Sequence, residues 1–422
     1  MVRRVRMVEW LKNFMVKKLI LLIVAIILWR QVVPLGQLIL NFRLNDFSVY
    51  LDGTRAALEG LNPYQLKFFD RFNYSPAATL FFIPLTLIPE NAAEFIFTAI
   101  SILSLFFSIK IIFELLKIKI SPSLFWLIFV LALKTYPSKL TLALGQINLI
   151  ILGLIVGSYY FCENYKGRTL RGKVRPFEAL SGILLGLATI LKLTPAPLIA
   201  YFLFRKKWKA VLWFTVTIAF LTPLGIAVFG WDLTYYYYFN TIPQLMSENT
   251  PATLNGSYMN QSVTALLGKF GIFGELNSTI RLGFGGVLAI FFVIPAYAKT
   301  YLNRFPIKSG MTRNFVSFWN LVIITMLFLP VFVWQHHYTI IIPVLIILVA
   351  KFIKTKKMRD LAMSGLTYFL LIFYIKDPYL PSRLNPLLSS HFLTAAMILL
   401  ILSSYSLGSN QKQISDRKQF LK

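Results

Sequence analysis

Apolar runs long enough to cross a lipid bilayer recur along the whole chain. A membrane-spanning helix needs about 20 apolar residues, because the hydrocarbon core is about 30 Å thick. Candidate spans lie near 18–40, 92–116, 122–138, 144–162, 209–229, 281–300, 314–333, 337–353, 361–375 and 391–407. The chain has 422 residues, of which 57% are hydrophobic. The sequence therefore predicts an all-α, polytopic integral membrane protein that forms a single transmembrane domain over 1–422.

Two shorter apolar runs, 178–191 and 195–204, are separated by a break from Lys192 to Pro195. Proline interrupts the hydrogen-bond ladder of a helix, because it has no backbone N–H and its ring clashes with the preceding turn. The pattern predicts a hairpin of two half-helices whose tip carries Lys192. The run 76–89 contains three prolines and is short for a membrane span. It either crosses the membrane or enters it and returns to the same side.

The basic residues gather in short clusters between the apolar runs. With the amino terminus in the cytoplasm, thirty of the 43 lysines and arginines fall on the cytoplasmic side, as the positive-inside rule predicts. The outer loops, 41–75 and the long loop 230–280, carry acids and bases in near balance. The net charge of +27 thus reflects the topology of the chain among membrane lipids and does not indicate nucleic-acid binding. The assignment gives about twelve transmembrane helices with both termini cytoplasmic.

The first outer loop contains a segment with helical spacing after Asp46. Its apolar positions are Phe47, Tyr50, Leu51, Thr54 and Leu58. This spacing predicts an amphipathic helix on the outer membrane surface, ended by Gly60. Two interpretations of Asp46 stand side by side. It is either the N-cap of this helix, or a carboxylate placed to take a proton from a sugar hydroxyl.

Short motifs follow one another in a fixed order from Asp46 onward. They are Asp46-Phe47-Ser48-Val49-Tyr50, Gly60-Leu61-Asn62-Pro63-Tyr64, Tyr74-Ser75-Pro76, Gly145-Gln146-Ile147-Asn148, Lys192 with Pro195, Asn260-Gln261-Ser262 and Trp334-Gln335-His336-His337. In this order the chain resembles glycosyltransferase family 87, the polyprenyl-phosphate-mannose-dependent mannosyltransferases of the GT-C superfamily. The resemblance covers roughly residues 40–340. Tyr-Ser-Pro and Val-Trp-Gln depart from the usual family pattern and leave the sugar and the acceptor open.

The resemblance implies an inverting glycosyltransferase with Asp46 as the general base. Its donor would be a polyprenyl-phosphate sugar, used outside the cytoplasm, and its acceptor a lipid or a glycan. One base suffices, because a departing phosphate needs no strong protonation, whereas a glycosidase needs two carboxyl groups. No cofactor and no metal are expected, since the outer loops contain no Asp-X-Asp cluster and the chain has no nucleotide-binding fingerprint or zinc-ligand spacing.

The other candidate residues have both a functional and a structural interpretation. The departing phosphate needs fixed positive charge or hydrogen-bond donors, for which the candidates are Lys192, His336 and His337. The candidates for binding sugar or acceptor are Gln146, Asn148, Tyr50, Tyr74, Asn260 and Gln261. Structurally, Lys192 could be a snorkelling lysine, a histidine near a helix end could be buried and satisfied, and the amides could complete helix ends.

Two functions of other classes compete with the transferase. A secondary transporter would share the many helices and the broken hairpin, and a non-catalytic lipid-binding subunit would keep the same fold. The halves 1–210 and 211–422 show no matching repeat, and the polar candidates gather on one side of the membrane, whereas transporters bind near the midplane. Replacement of Asp46 by asparagine distinguishes the three, because only the transferase loses turnover.

Overall fold

The computed structural model describes Lys18, Leu22 and residues 44–67, 71–163, 176–246, 259–290, 310–373 and 385–402. Within these residues the regular structure is helical, and the β-bridge between Asn260 and Trp334 is isolated. The prediction of an all-α fold is confirmed. The predicted first span, 18–40, lies almost wholly outside the described residues.

The amino-terminal half begins with one helix and two single turns, followed by longer apolar helices. These are α1 (Asn45–Leu58), α2 (Pro76–Thr79), α3 (Ile83–Thr86), α4 (Glu90–Leu116), α5 (Pro122–Lys134), α6 (Tyr136–Leu144), α7 (Asn148–Glu163), α8 (Pro176–Leu191), α9 (Ile199–Phe204) and α10 (Trp208–Phe229). The run 76–89 thus forms two single turns and not one continuous helix. Its prolines account for this, because each removes a backbone donor.

The carboxyl-terminal half contains shorter helices interrupted by irregular turns. They are α11 (Trp231–Tyr236), α12 (Ile242–Met246), α13 (Val263–Lys269), α14 (Gly274–Leu288), α15 (Gly310–Ile323), α16 (Ile342–Thr355), α17 (Met358–Ile372), α18 (Asn385–Leu388) and α19 (His391–Leu402). Two π-helical segments, Tyr237–Thr241 and Ile324–Phe328, and a 3₁₀ segment, Gln335–Ile341, join some of these helices.

Among the described helices, three are long and apolar enough to cross a membrane. They are Glu90–Leu116, Trp208–Phe229 and the continuous segment Gln335–Ile353. The pair α5 and α6 also meets the requirement as one broken span, bent by 68°. The bend follows from Pro137, because a proline clashes with the turn before it and the helix therefore ends at Lys134. The predicted span near 122–138 thus corresponds to a bent pair of helices that continues to Leu144.

Helices α4, α7, α8 and α10 pack side by side in that order. The contact between α8 and α10 is close because α8 carries Gly182 and Gly186 four residues apart. A Cβ atom on Gly182 would lie 2.1 Å from the backbone oxygen of Ala210, and one on Gly186 would lie 2.7 Å from the Cβ of Thr217. Small residues at this spacing let two membrane helices approach backbone to backbone.

Helices α8 and α9 form the predicted hairpin. The chain leaves helical geometry at Lys192 and resumes it through a 3₁₀ turn at Ala196–Leu198. Both arms return to one end, since the Lys207 ammonium lies 3.2 Å from the Glu178 carboxylate. Arg205 pairs with Glu163 at the end of α7, at 3.1 Å. Lys192 therefore lies at the tip of the hairpin, opposite this cluster of ion pairs.

Candidate functional site

Helix α1 begins at Asn45, and the residue that precedes it in extended conformation is Leu44. Asp46 is therefore in the first helical turn and is not the N-cap, which corrects one of the two interpretations of this residue. The Leu44 N–H instead donates to Glu94 Oε1 on α4, at 2.8 Å. Helix α1 is buried on most of its circumference. A carboxylate in the first turn is favoured by the helix dipole.

The Asp46 carboxylate is held by a chain of hydrogen bonds through three of the predicted residues. Gln146 Nε2 donates to Asp46 Oδ2, and the Tyr50 hydroxyl donates to Gln146 Oε1 at 3.0 Å. The Tyr74 hydroxyl donates in turn to Tyr50 Oη at 2.8 Å. Burial raises the pKa of the Tyr50 phenol well above its usual value, so this residue stays a donor. This series of hydrogen bonds fixes the orientation of the Asp46 carboxylate.

Gly145 allows α1 to approach this amide. Its φ of +70° is the left-handed conformation that ends α6. A Cβ atom at this position would lie 2.6 Å from the Cβ of Phe47 and 3.0 Å from that of Leu44. Any larger residue would separate α1 from the turn that carries Gln146. This explains physically why a glycine precedes the amide pair.

The second group of predicted residues surrounds the ammonium of Lys192. Its Nζ donates to Asn148 Oδ1 at 2.9 Å and lies 2.8 Å from His337 Nε2. A protonated lysine has only donors, so this imidazole nitrogen accepts and His337 is neutral. Lys192 lies in the non-helical turn beyond α8, where burial lowers the pKa of its ammonium to about 7 and the Asp46 charge opposes that shift.

The two adjacent histidines differ in their contacts. The His337 ring contacts Lys192 through Nε2. The His336 ring packs edge to face against the His337 ring, with 4.7 Å between the ring centroids and an angle of 76° between the ring planes. The backbone oxygen of His336 accepts from Thr141 and Thr339. Of the pair, His337 is therefore the one that contacts the lysine.

Both groups face one cavity of about 800 Å³. The predicted residues in its wall are Asp46, Tyr50, Tyr74, Gln146, Lys192, His336 and His337. Much of the remaining wall is apolar and includes Leu140, Leu144, Leu191, Ile242, Leu245 and Met246. Asn148 lies behind Lys192 and lines a small recess beside the cavity. The fold thus brings together residues that are up to 291 positions apart in the sequence, from Asp46 to His337.

Asn260 and Gln261 lie outside the wall of this cavity. Asn260 Oδ1 accepts from the Val333 N–H at 3.0 Å, and Gln261 Nε2 donates to the Ser389 backbone oxygen at 2.6 Å. The Gln261 N–H also donates to Val333 O, at 2.8 Å. These three polar atoms bind the backbone, and the contact of this pair with sugar or acceptor stays a prediction. They hold the segment that leads into His336.

Two arginines in the wall were missed by the sequence analysis. Arg281 on α14 is only 9% exposed and donates from Nη1 to the backbone oxygen of Leu329. Arg71 precedes the Tyr74 motif and also lines the cavity. A charge at the start of the apolar run 281–300 was an available signal, because charged residues in membrane segments mark functional sites.

The cavity wall carries more positive than negative charge. Among its described residues, Asp46 is the acid, and Arg71, Lys192 and Arg281 are the lysine and arginines. The π-helical segments Tyr237–Thr241 and Ile324–Phe328 also contribute to the wall, through Tyr237 and Thr325. Single π-turns inside α-helices are frequent at functional sites, because they redirect side chains locally. The arrangement suits an anionic group bound beside an apolar chain.

The fold and the cavity define a helical integral membrane protein with one oriented carboxylate and a group of basic side chains in the wall of the same cavity. A comparison with family sequence models makes this assignment specific. The chain belongs to glycosyltransferase family 87, whose model matches residues 72–330. The matched region contains the Tyr74, Gln146 and Lys192 motifs, whereas Asp46 precedes it and the histidine pair follows it.

Individual relatives are similar at low identity. A polyprenol-phosphate-mannose-dependent alpha-(1-2)-phosphatidylinositol pentamannoside mannosyltransferase of Mycolicibacterium smegmatis is 28% identical over 286 residues, 64% of this chain and 63% of that protein. A polyprenol-phosphate-mannose-dependent alpha-(1-2)-phosphatidylinositol mannoside mannosyltransferase of Mycobacterium tuberculosis is 26% identical, over 47% of this chain and 48% of its own length. An alpha-(1->3)-arabinofuranosyltransferase of Corynebacterium glutamicum is 24% identical over 58% of this chain and 55% of its own. The chain thus spans less than two thirds of each of these three proteins.

Proposed function

We propose that the protein transfers mannose from a polyprenyl-phosphate donor to a hydroxyl group of a lipid-linked or glycan acceptor. The observation that carries this proposal is the joint placement of Asp46 and Lys192 in one cavity, each held by its own set of hydrogen bonds. The two mycobacterial relatives support the choice of donor, since both are polyprenol-phosphate-mannose-dependent. The third relative, an arabinofuranosyltransferase, supports only the transfer of a sugar.

In the proposed reaction Asp46 is the general base. The acceptor oxygen forms a bond to the anomeric carbon while its proton passes to the Asp46 carboxylate. The bond between the anomeric carbon and the phosphate oxygen breaks, and the polyprenyl phosphate leaves with the electron pair. Attack opposite the departing phosphate inverts the anomeric centre. Gln146 and Tyr50 keep the carboxylate oriented through the bonds described above.

The departing phosphate is received by positive charge. Lys192, backed by Asn148 and His337, supplies a charge-assisted hydrogen bond to the developing negative charge. The site therefore needs no second carboxylic acid, in contrast to a glycosidase. The apolar part of the wall, with Leu140, Leu144 and Leu245, is suited to the polyprenyl chain.

The proposed topology places the site on the extracytoplasmic face, with about twelve spans, both termini inside and α1 at the outer surface. Helix α7 supports this arrangement, because Asn148 at its start contacts Lys192 and Glu163 at its end pairs with Arg205. These ends lie about 22 Å apart at 1.5 Å per residue. The charge assignment puts the basic cluster 205–209 on the cytoplasmic side of the membrane. The cavity lies at the opposite end of α7 and therefore on the extracytoplasmic side.

The test is the Asp46→Asn variant, assayed with labelled polyprenyl-phosphate-mannose and total membrane lipids, with products identified by mass spectrometry. We expect transfer to be lost while donor binding is kept. The matched control is Asp52→Asn on the same helix, since Asp52 pairs with Arg55 at 3.1 Å and lies outside the cavity wall. Transfer by Asp46→Asn at a rate near that of the unsubstituted protein would refute the assignment of the base.

A further inference from the structure

Behind Lys192 there is a recess of about 10 Å³, close to the space that one oxygen-sized atom fills. Its polar lining consists of Asn148, Lys192, Thr194, His337 and Thr339. Its apolar lining consists of Ile151, Met326 and Ile340. Lys192, Thr194 and His337 line both the recess and the large cavity, so the recess adjoins the proposed site of transfer.

Two buried polar atoms in this recess have no protein partner among the residues that the structure describes. They are Nδ2 of Asn148, a residue that is 6% exposed, and Oγ1 of Thr194. The other amide atom of Asn148, Oδ1, already accepts from Lys192 Nζ at 2.9 Å. A buried donor without a partner is unfavourable, so a ligand that accepts a hydrogen bond from it gains affinity.

The character of these groups identifies the atom that fits. The Asn148 amide nitrogen is a donor, the Thr194 hydroxyl can donate, and the Lys192 ammonium has a third N–H beyond its two contacts. Donors that converge beside a positive charge favour an anionic oxygen and disfavour a cation. The small volume suits a single atom of oxygen size better than a whole phosphate or sugar ring.

We infer that the recess receives one of the two non-bridging oxygens of the donor phosphate, and that Asn148 and Thr194 bind this oxygen together with Lys192. The inference rests on the proposed function and adds to it. It assigns Thr194, which lies two residues after the lysine, to the donor site. It also makes the two non-bridging oxygens inequivalent, because one is enclosed and the other faces the large cavity.

Phosphorothioate donors test this inequivalence directly. Sulfur in place of one non-bridging oxygen gives two diastereomers, and sulfur is larger than the oxygen that this small recess is inferred to hold. With the unsubstituted protein we expect one diastereomer to be used at least tenfold less efficiently than the other, measured as kcat/KM. In Thr194→Ala, which widens the recess, this ratio should fall towards one. Equal use of both diastereomers by the unsubstituted protein would overturn the inference.

A second arm tests the hydroxyl group alone, by binding of the unmodified donor. Thr194→Val should weaken donor binding several-fold, and Thr194→Ser should restore it. The matched control is Thr189→Val, because Thr189 is buried on α8 with an Oγ1 that likewise has no protein partner in the described chain, and it lines neither space. Equal donor affinity in Thr194→Val and Thr189→Val would count against the inference.

The two arms also separate this inference from the proposed function. If the unsubstituted protein neither binds nor uses the unmodified donor, the proposed function fails and the inference fails with it. If the unmodified donor is used but neither the diastereomer ratio nor the Thr194 variants respond, only the inference fails. The diastereomer ratio of the unsubstituted protein needs no variant, so this result does not depend on whether any variant folds.

Discussion

The side-chain oxygen of Asn148 accepts a hydrogen bond from the Lys192 ammonium at 2.9 Å, which ties the tip of the hairpin to the first residue of α7. The contact fixes the position of a cation that lies in a turn and not within a helix. A lysine held by an amide oxygen and an imidazole nitrogen keeps one N–H for a ligand. This remaining N–H suits an anion, and the donor phosphate is the anion that the proposed reaction supplies.

Lys192→Ala should weaken donor binding far more than acceptor binding. Loss of one charge-assisted hydrogen bond costs about 1.5–3 kcal/mol, or roughly 10- to 150-fold in the donor Kd. Binding of each substrate is measured separately with the purified protein. Lys269→Ala is the control, because Lys269 donates to the hydroxyl groups of Ser389 and Ser390, at 2.8 and 3.2 Å, and lies outside the cavity wall. Equal losses for donor and acceptor would argue against a phosphate site.

Donor binding should weaken as the pH rises above 7. Burial lowers the pKa of the Lys192 ammonium to about 7, so the free protein loses this charge above that pH, whereas a bound phosphate favours the charged form. The donor affinity should therefore fall by up to about tenfold per pH unit, with uptake of a proton on binding. Calorimetry at pH 8 in buffers of different ionisation enthalpy measures that proton.

The control for this pH dependence is Lys192→Arg, whose guanidinium stays protonated throughout the range. Its donor affinity should change little between pH 6.5 and 8.5. Asp46, His336 and His337 also face the cavity, and a pH dependence that persists in Lys192→Arg would assign the proton to one of them. A donor affinity that is the same at both pH values in the unsubstituted protein would contradict the prediction.

Gly145→Ala should lower turnover by separating α1 from Gln146. The new Cβ atom would lie 2.6 Å from the Cβ of Phe47, next to Asp46, so the helix must shift. Gly60→Ala is a sharp control, because Gly60 also has a positive φ, +76°, but a Cβ there meets nothing within 4 Å. Both variants pay about 1 kcal/mol of backbone strain. Only Gly145→Ala should lose kcat, and equal kcat values in the two would contradict this reasoning.

Local rules predicted the parts of the fold that depend on local chemistry. The break at Lys192 followed from Pro195, and the start of the span at Gln335 was placed within two residues. One interpretation of Gln146 and Asn148 placed them at a helix end, and α6 does end at Leu144, before Gly145. The bend at Pro137 was missed, although proline gave the same local signal there as at Pro195.

Features that depend on distant partners were beyond the reach of the sequence. Asp46 was assigned as a possible N-cap, but the start of α1 is set by Glu94, which accepts from Leu44 fifty residues away. Gln261 was predicted to bind sugar or acceptor, and nothing in the sequence indicated that its side-chain amide donates to the backbone oxygen of Ser389, 128 residues away. Polar side chains of the same type bind ligands or backbone equally well. Only the fold decides which partner is near.

Gly182→Ala should destabilise the protein through the contact of α8 with α10. A Cβ at Gly182 would lie 2.1 Å from the backbone oxygen of Ala210, which cannot rotate away, so the two helices must separate. Overpacking of this kind costs about 1–3 kcal/mol. Cys162, the single cysteine, is buried in α7 and gives a native reporter, since a thiol-reactive dye labels it only when the packed helices open. We expect a lower thermal midpoint of labelling in the Gly182→Ala variant.

The control for this packing effect is Gly283→Ala in α14. Gly283 is also helical, but a Cβ atom there meets nothing within 4 Å, and alanine is the better helix former by about 1 kcal/mol. Its labelling midpoint should stay the same or rise. A midpoint that falls equally in both variants would mean that glycine itself, and not the close approach of α8 to α10, is required. The hairpin that carries Lys192 begins with α8, so Gly182→Ala should also weaken donor binding.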